Sequence, residues 1–373
     1  MKILMILSKE FTVDPRVYKE ARSLIEAGHQ VTVLMWDRKG GYEKESVIDE
    51  IKVIRLHNTS FMKILPNDLF RNPFWWKAAY KKALELYKND FQFDVVHCHD
   101  LDTLIIGVLL KKKLCVKLVY DAHEIFGAMI SNDVPKIIVK ISFFIEKLCV
   151  SFVDYIITVN EPLENYFQKI TKKPIVIVMN CTNLLINEYI PPNTSIFTIS
   201  YMGTLNMARM FPDIVDIIGN IEGVKFIIAG RKENIYEEVK ERCKKYKNVE
   251  FLGTISLKEA MEYTIKSNAV LCLFDPNDSI YKIGLPNKIF ESMAAGRPVL
   301  VTKEMYYSKI IEEENCGVLV EYEENDIING IITLRDNPRL CEMLGRNGLN
   351  AARTKYNWDK QKVKLLKVYE AMK

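Results

Sequence analysis

The stretch "MKILMILSKEFTVDPRVYKEARSLIEAGHQVTVLMW", Met1–Trp36, decides the fold, because its apolar pattern changes period twice. "KILMIL" is a short continuous apolar run, "DPRVYKEARSLIEAG" places its apolar residues at helical spacing, and "QVTVLMW" is apolar again. Runs of strand length alternating with helical segments predict parallel strands joined by helical crossovers. Asp14 and Pro15 suit the N-cap and first turn of the helix, and Gly28 suits its end.

The rhythm continues through "DVVHCH" and "KLVYDAHE" and pauses at "NEYIPPNTS", residues 187–195, whose prolines and polar residues disfavour helix and strand. It resumes with "FTISYMG", "VKFIIAG", "VEFLG", "AVLCLF" and "RPVLVT". The expectation is an α/β protein of two doubly wound, Rossmann-like halves. Residues 1–187 form the first, 188–195 the linker, 196–352 the second, and 353–373 a terminal helix. Apolar residues at 363, 365, 366 and 369 let that helix pack on either half, the N-terminal one included.

At 373 residues, 49% of them hydrophobic, the chain can bury a core for about two domains. A formal charge of only +4 excludes nucleic-acid binding by bulk electrostatics. The eight cysteines form no Cys-x-x-Cys pair, so neither a zinc site nor a disulfide framework is signalled, and reduced thiols in a cytoplasmic protein are expected. The first apolar run is too brief for a signal sequence, and no run reaches the ~20 apolar residues of a spanning helix.

Chemistry concentrates in "GLPNKIFESMAAGRPVL", Gly284–Leu300. Pro286 suits a helix start and Gly296 its end. A helix start carries unpaired N–H groups and the positive end of the helix dipole, which together favour a phosphate, and Lys288 adds a full charge. Glu291 lies five residues after Pro286, a rise of ~7.5 Å, far enough to reach past a phosphate to an attached sugar. An exposed Lys288–Glu291 ion pair is the plainer alternative.

Two clusters in the first half pair histidine with carboxylates: His97, His99 and Asp100 in "HCHD", and Asp121, His123 and Glu124 in "DAHE". Both follow strand-like runs, whose carboxyl ends bind ligands in open α/β sheets. Such residues are also common metal ligands.

With these residues in view, the chain resembles the retaining family 4 glycosyltransferases of the GT-B fold over nearly its whole length. "DPRVYKEARSLIEAGHQVTVL", "DVVHCHDLDTL", "YDAHEIF", "SYMGTL", "GLPNKIFESMAAGRPVL" and "CGVLVEY" occur in the expected order. The resemblance implies a nucleotide-sugar donor, UDP- or GDP-linked, on the C-terminal half, an acceptor approaching from the N-terminal half, and no metal or other cofactor. It places the ribose-binding carboxylate at Glu291 and the active-site histidine at His123, which would bond a sugar hydroxyl and support an oxocarbenium-like transition state. A front-face mechanism is implied, in which the departing diphosphate helps take the acceptor's proton, stabilised by Arg209, Lys288 and the helix dipole.

Of the basic pair that usually grips the diphosphate, Arg209 fills the second place, while Thr204 stands at the first. Lys288 and Arg231 are candidates to supply the missing charge. A second departure is Ile283, where a donor-contacting glutamate is usual; a branch carrying Pro-Asn-Lys here is similar. Gly203, Gly284, Leu285, Pro286 and Asn287 complete the expected donor set. Arg16, His99 and Asp100 are assigned to the acceptor side, with loop architecture an open alternative for the last two.

"FMKILPNDLFRNPFWWKAAYKKALELYK", residues 61–88, mixes aromatics with lysines and suits a lipid surface, a lipid-linked acceptor or plain packing. "PKIIVKISFFIEKLCVSFVDY", residues 135–155, offers a second such lipid-facing surface, with packing of an apolar helix face on the sheet the preferred reading. The expected protein is thus a retaining hexosyltransferase acting on a glycan or lipid-linked acceptor in cell-surface polysaccharide or glycoconjugate synthesis. It would be cytoplasmic, with peripheral contact at the inner face of the membrane. The rivals are an epimerase or hydrolase of nucleotide sugars and a noncatalytic nucleotide-sugar-binding protein. A dehydrogenase is discounted, because "SKEFTVDPR" lacks the glycine-rich dinucleotide fingerprint.

Overall fold

The computed structural model describes residues 1–11, 14–89, 91–131, 133–232 and 234–373. The chain divides into two compact units, 1–179 with 362–373, and 180–361. The expected boundary at 187 and the linker 188–195 therefore fall inside the second unit, where 187–195 is irregular. The last twelve residues belong with the first.

In the first unit, strands β1 (Lys2–Leu7), β2 (Gln30–Asp37), β3 (Glu45–Ile48), β4 (Ile51–His57), β5 (Val95–His99), β6 (Lys117–Ala122), β7 (Tyr155–Thr158) and β8 (Ile175–Ile177) form one sheet. Its order is β3-β4-β2-β1-β5-β6-β7-β8, parallel except for the antiparallel edge hairpin β3–β4. The order reverses direction at β1, so β1 and β5 flank a topological switch point. Ile3, Leu4, Met5 and Ile6 are wholly buried, as a strand covered by helices on both faces requires. Asp14 caps helix Pro15–Glu26 through the N–H groups of Arg16 and Val17, and Gly28 follows with φ +82°.

The second unit holds β9 (Phe197–Met202), β10 (Val224–Ala229), β11 (Val249–Gly253), β12 (Ala269–Cys272), β13 (Val299–Thr302) and β14 (Gly317–Val320). All pair in parallel in the order β11-β10-β9-β12-β13-β14, with the switch at β9 and β12. Helix Asn287–Ala294 crosses from β12 to β13 and buries Ile289, Phe290 and Met293. Gly296 ends it with φ +65°, a conformation that a side chain would strain.

Two helical regions of the first unit differ in what they hide. In helix Asp68–Asn89, Trp75, Ala79, Ala83 and Leu86 are buried, and Trp75 stacks on Trp36 with centroids 5.3 Å apart. Phe61, Ile64, Phe70 and Phe74 nearby remain exposed. Helix Lys136–Cys149 corrects the expectation of an apolar face simply packed inward. Its buried residues are Ser142 and Glu146, with Ile145 and Cys149 half-buried against the core, while Ile137, Ile141, Phe144 and Leu148 face out. Glu146 accepts hydrogen bonds from Tyr120 at 2.7 Å and Tyr166 at 2.6 Å, which fixes the helix's rotation by polar contacts.

Among the described residues no helix is long and apolar enough to cross a membrane. The eight cysteines are free thiols.

Candidate functional site

In the second unit the site grows from the carboxyl end of β9. Gly203 follows the strand, and its N–H donates to Ala229 O at 2.9 Å. A Cβ here would run into the ammonium of Lys288, so glycine lets the lysine lie across the backbone. Lys288 Nζ sits 4.6 Å from the ring centroid of Tyr201, while an N–H of Arg209 donates to the Tyr201 hydroxyl at 3.1 Å and another bond of that nitrogen reaches Thr204 O at 3.1 Å. Arg209 also lies 4.9 Å over the Phe274 ring. Two cations thus converge on one buried tyrosine, and the lysine is drawn toward this ring.

Lys288 is the second residue of helix Asn287–Ala294, and Pro286 at its N-cap has φ −66° and ψ 136°. The first-turn N–H groups, Lys288 and Arg209 therefore belong to one region of the second unit. Burial pushes the Cys272 thiol up to about 12 against the opposing pull of Lys288 and Arg209, so the field of both cations reaches the end of β12. Glu291 lies on the same helix, half-buried. Asn287 accepts a hydrogen bond from Asn180 at 3.0 Å. Gly284 N donates to Tyr281 O at 3.0 Å, closing the turn that leads through Leu285 to Pro286. Arg231 is exposed just after β10, beside Gly230, whose N–H donates to Gly253 O at 2.9 Å. Thr204, in the place of a basic residue, offers its carbonyl to Arg209.

In the first unit, β5 and β6 pair so that His99 lies beside Asp121. Asp121 is wholly buried and receives both arms of Arg16, Nε at 2.9 Å and Nη2 at 2.7 Å. The same carboxylate lies 3.0 Å from His123 Nε2 and 3.2 Å from His99 Nδ1. Asp100 adopts φ +62°, which turns its side chain to accept from His123 N at 3.1 Å and leaves its other oxygen 3.6 Å from His123 Nδ1. His97 stacks on His99 at 4.5 Å and meets the Tyr369 hydroxyl through Nδ1 at 2.6 Å.

Charge follows from this geometry. Burial alone would lower the His123 pKa, but Asp100 and Asp121 outweigh it and raise the imidazole to about 9. Burial lowers His99 and holds His97 well below its ordinary range, so both are neutral. Burial, reinforced by Asp121, pushes Glu20 up to about 8. Burial would raise Asp121 as well, but Arg16 and His123 overcome it and hold that carboxyl well below the usual range. The cluster is an imidazolium and a guanidinium balanced by Asp100 and Asp121. A protonated imidazole repels a positively charged sugar ring, so donation to a sugar hydroxyl, or attraction of an anion, is the role this electrostatics supports.

Glu20, His97, His99 and Asp121 each bring one ligand-type atom within 4.8 Å of the others. Both oxygens of Asp121 accept from Arg16, which makes this set an ion-paired scaffold. Arg16, expected beside an acceptor, is corrected to part of that scaffold: it is 2% exposed and its remaining arm donates to Val178 O at 2.8 Å. His99 is likewise fully buried, which favours the architectural alternative. Sequence reasoning gives no role to Glu20 or Tyr201, marks Asp121 only as a member of the "DAHE" cluster, and marks Tyr369 only as an apolar position of the terminal helix. The available signal is Arg16 and Glu20, four apart on the face of a helix that has to be buried.

Residues 15–184 match the family described as Glycosyltransferase Family 4, and residues 197–337 match Glycosyl transferases group 1. An uncharacterized glycosyltransferase of Methanocaldococcus jannaschii is 21% identical over 350 residues, covering 86% of this chain and 85% of that protein. Among solved structures, sucrose-phosphate synthase from Thermosynechococcus elongatus superposes with a TM-score of 0.79 at 17% identity, covering 100% of this chain and 99% of the other. HepE of Anabaena, in complex with UDP-glucose, does so with a TM-score of 0.74 at 14% identity over 100% of both chains. Two successive glycosyltransferase family matches, lying one on each parallel-sheet unit, support a glycosyltransferase built on the GT-B fold.

Proposed function

We propose that the protein moves a sugar from a nucleotide-diphosphate sugar, UDP- or GDP-linked, to a glycan or lipid-linked acceptor with retention of anomeric configuration. The observation that carries this reading is the convergence of Arg209 and Lys288 on Tyr201 at the start of helix Asn287–Ala294. Two cations and unpaired helix N–H groups suit a diphosphate, and Glu291 one turn further in suits the ribose hydroxyls. The UDP-glucose complex of HepE supports a nucleotide sugar as the donor class.

In the proposed reaction the acceptor hydroxyl attacks the anomeric carbon on the face from which the diphosphate leaves. The bond from that carbon to the phosphate oxygen breaks, the new glycosidic bond forms, and the hydroxyl proton passes to the departing diphosphate. Arg209, Lys288 and the helix start stabilise the charge that develops there. His123 donates to a sugar hydroxyl. The donor set further includes Gly203, Gly284, Leu285, Pro286, Asn287 and Arg231, with Asp100 on the acceptor side. No metal is assigned a role. Cell-surface polysaccharide or glycoconjugate synthesis at the cytoplasmic face of a membrane is the proposed setting.

The test is thermal stabilisation across UDP- and GDP-sugars, since a ligand that prefers the native state raises its apparent stability. One nucleotide diphosphate is expected to stabilise the protein, and Glu291→Ala to weaken that effect. Equal affinity in the variant removes Glu291 from the site. Product analysis with and without acceptor separates transfer from hydrolysis or epimerisation.

A further inference from the structure

Helix Lys136–Cys149 presents Ile137, Ile141, Phe144 and Leu148 at 62%, 44%, 63% and 51% exposure. Their spacing of i, i+4, i+7 and i+11 confines them to an arc of roughly 60° at about 100° per residue. Glu146, on the opposite side, is wholly buried between the Tyr120 and Tyr166 hydroxyls. The helix is therefore locked with this apolar stripe toward solvent. Leu109 on the adjacent helix Leu101–Leu114 and Phe152 after the helix extend the exposed apolar surface of this region.

Charge selects the occupant. The exposed charged residues of the helix are Lys136, Lys140 and Lys147, which share one flank of the stripe, and its single carboxylate is the buried Glu146. Lys112, whose ammonium lies 4.0 Å over the Phe152 ring, adds a fourth cation. Pairing of two copies through this face would set like rows of lysine together. An anionic lipid surface instead accepts the apolar side chains among its acyl chains and the lysines at its headgroups.

We infer that the first unit docks on an anionic lipid bilayer through the outward stripe of helix Lys136–Cys149 and its flanking lysines. This deepens the proposed setting at a membrane and rests on that reading for its purpose. The binding itself needs neither donor nor acceptor, so the two fail separately.

The experiment is co-sedimentation of the full chain with vesicles of phosphatidylcholine alone and with vesicles of equal parts phosphatidylcholine and phosphatidylglycerol. Binding to the mixed vesicles is expected, weakening as salt is raised. Exchanging Lys140 and Lys147 together for glutamine should weaken it by about tenfold. A double variant, Ile141→Asp with Phe144→Asp, should lose it by roughly tenfold or more while keeping the wild-type thermal midpoint, because both side chains lie outside the core. Failure of the wild type to sediment with the mixed vesicles overturns the inference, as does unchanged binding in the double variant. So does a dimer in solution that the double variant dissolves, since the stripe would then belong to a second copy.

Discussion

Arg209 and Lys288 act on the same residue, Tyr201: the guanidinium bonds its hydroxyl at 3.1 Å and the ammonium sits 4.6 Å from its ring centroid. They are 79 positions apart in the chain, one after β9 and one on the helix after β12, and adjacent strands bring them together. Two cations held near each other are mutually costly, and an anionic ligand relieves that cost. A charge-assisted bond to phosphate contributes ~1.5–3 kcal/mol, so Arg209→Ala and Lys288→Ala should each weaken nucleoside diphosphate binding roughly 10- to 100-fold. Isothermal titration with UDP and GDP measures it. If both variants bind the preferred nucleotide like the wild type, the diphosphate is elsewhere.

His123 should impose an alkaline limb on turnover. With its pKa raised to about 9 against burial by Asp100 and Asp121, the ring is an imidazolium at neutral pH and loses its donor proton as pH rises through about 9. The rate of the chemical step is expected to fall above that value. Asp100→Asn, by removing the largest of the effects that raise this pKa, should shift the fall to lower pH. A pH–rate profile measured under saturating donor separates the two enzymes. A limb that stays in place in His123→Gln belongs to another group.

The alternation of strand-length and helical segments makes both sheets legible in the sequence, because a strand buried on both faces leaves a continuous apolar signature. The helix start at Pro286, its end at Gly296 and the cap at Asp14 are legible for the same local reason. The network around Asp121 is not, since its members come from the first helix, β5, β6 and the chain's last helix, and nothing local marks a carboxylate shared by Arg16 and His123. Arg16, assigned from the sequence to the acceptor side, misleads on that account, because its partner is an internal aspartate. Helix Lys136–Cys149 misleads because an amphipathic pattern shows that a helix has an apolar face but not which way the face turns. Glu146, satisfied by two tyrosines, settles the rotation.

Arg16→Ala should be a stability defect in the first unit. Removing Arg16 leaves the buried Asp121 with His123 as its one remaining cationic partner among the described residues, a loss of up to about 3–5 kcal/mol. Nucleotide affinity, which the second unit carries in the proposed function, should be preserved in whatever fraction remains folded. Chemical denaturation alongside nucleotide titration checks both. Loss of acceptor affinity at unchanged stability would return Arg16 to the acceptor side.

Glu20 and His123 give the same network a pH-dependent stability whose sign can be worked out. Burial, then Asp121, raises Glu20 from 4.5 to about 8, so between those values the native state keeps a proton that the unfolded chain has released. His123, raised from 6.5 to about 9, does the same over the next interval. Stability therefore falls as pH rises through each window, because it increases with pH only where the unfolded state binds more protons. Asp14 has the opposite sense: burial opposes its ionisation, but Lys9 outweighs that and lowers it from 3.8 to about 2, so its contribution is lost as pH falls through that range. Glu20→Gln supplies a permanently neutral side chain of the same size. The variant should match the wild type near pH 4 and exceed it by pH 8, its loss beginning only as His123 titrates. Unfolding midpoints in urea from pH 4 to 9 give the comparison, and parallel curves for the two proteins would mean that Glu20 is ionised in the native state.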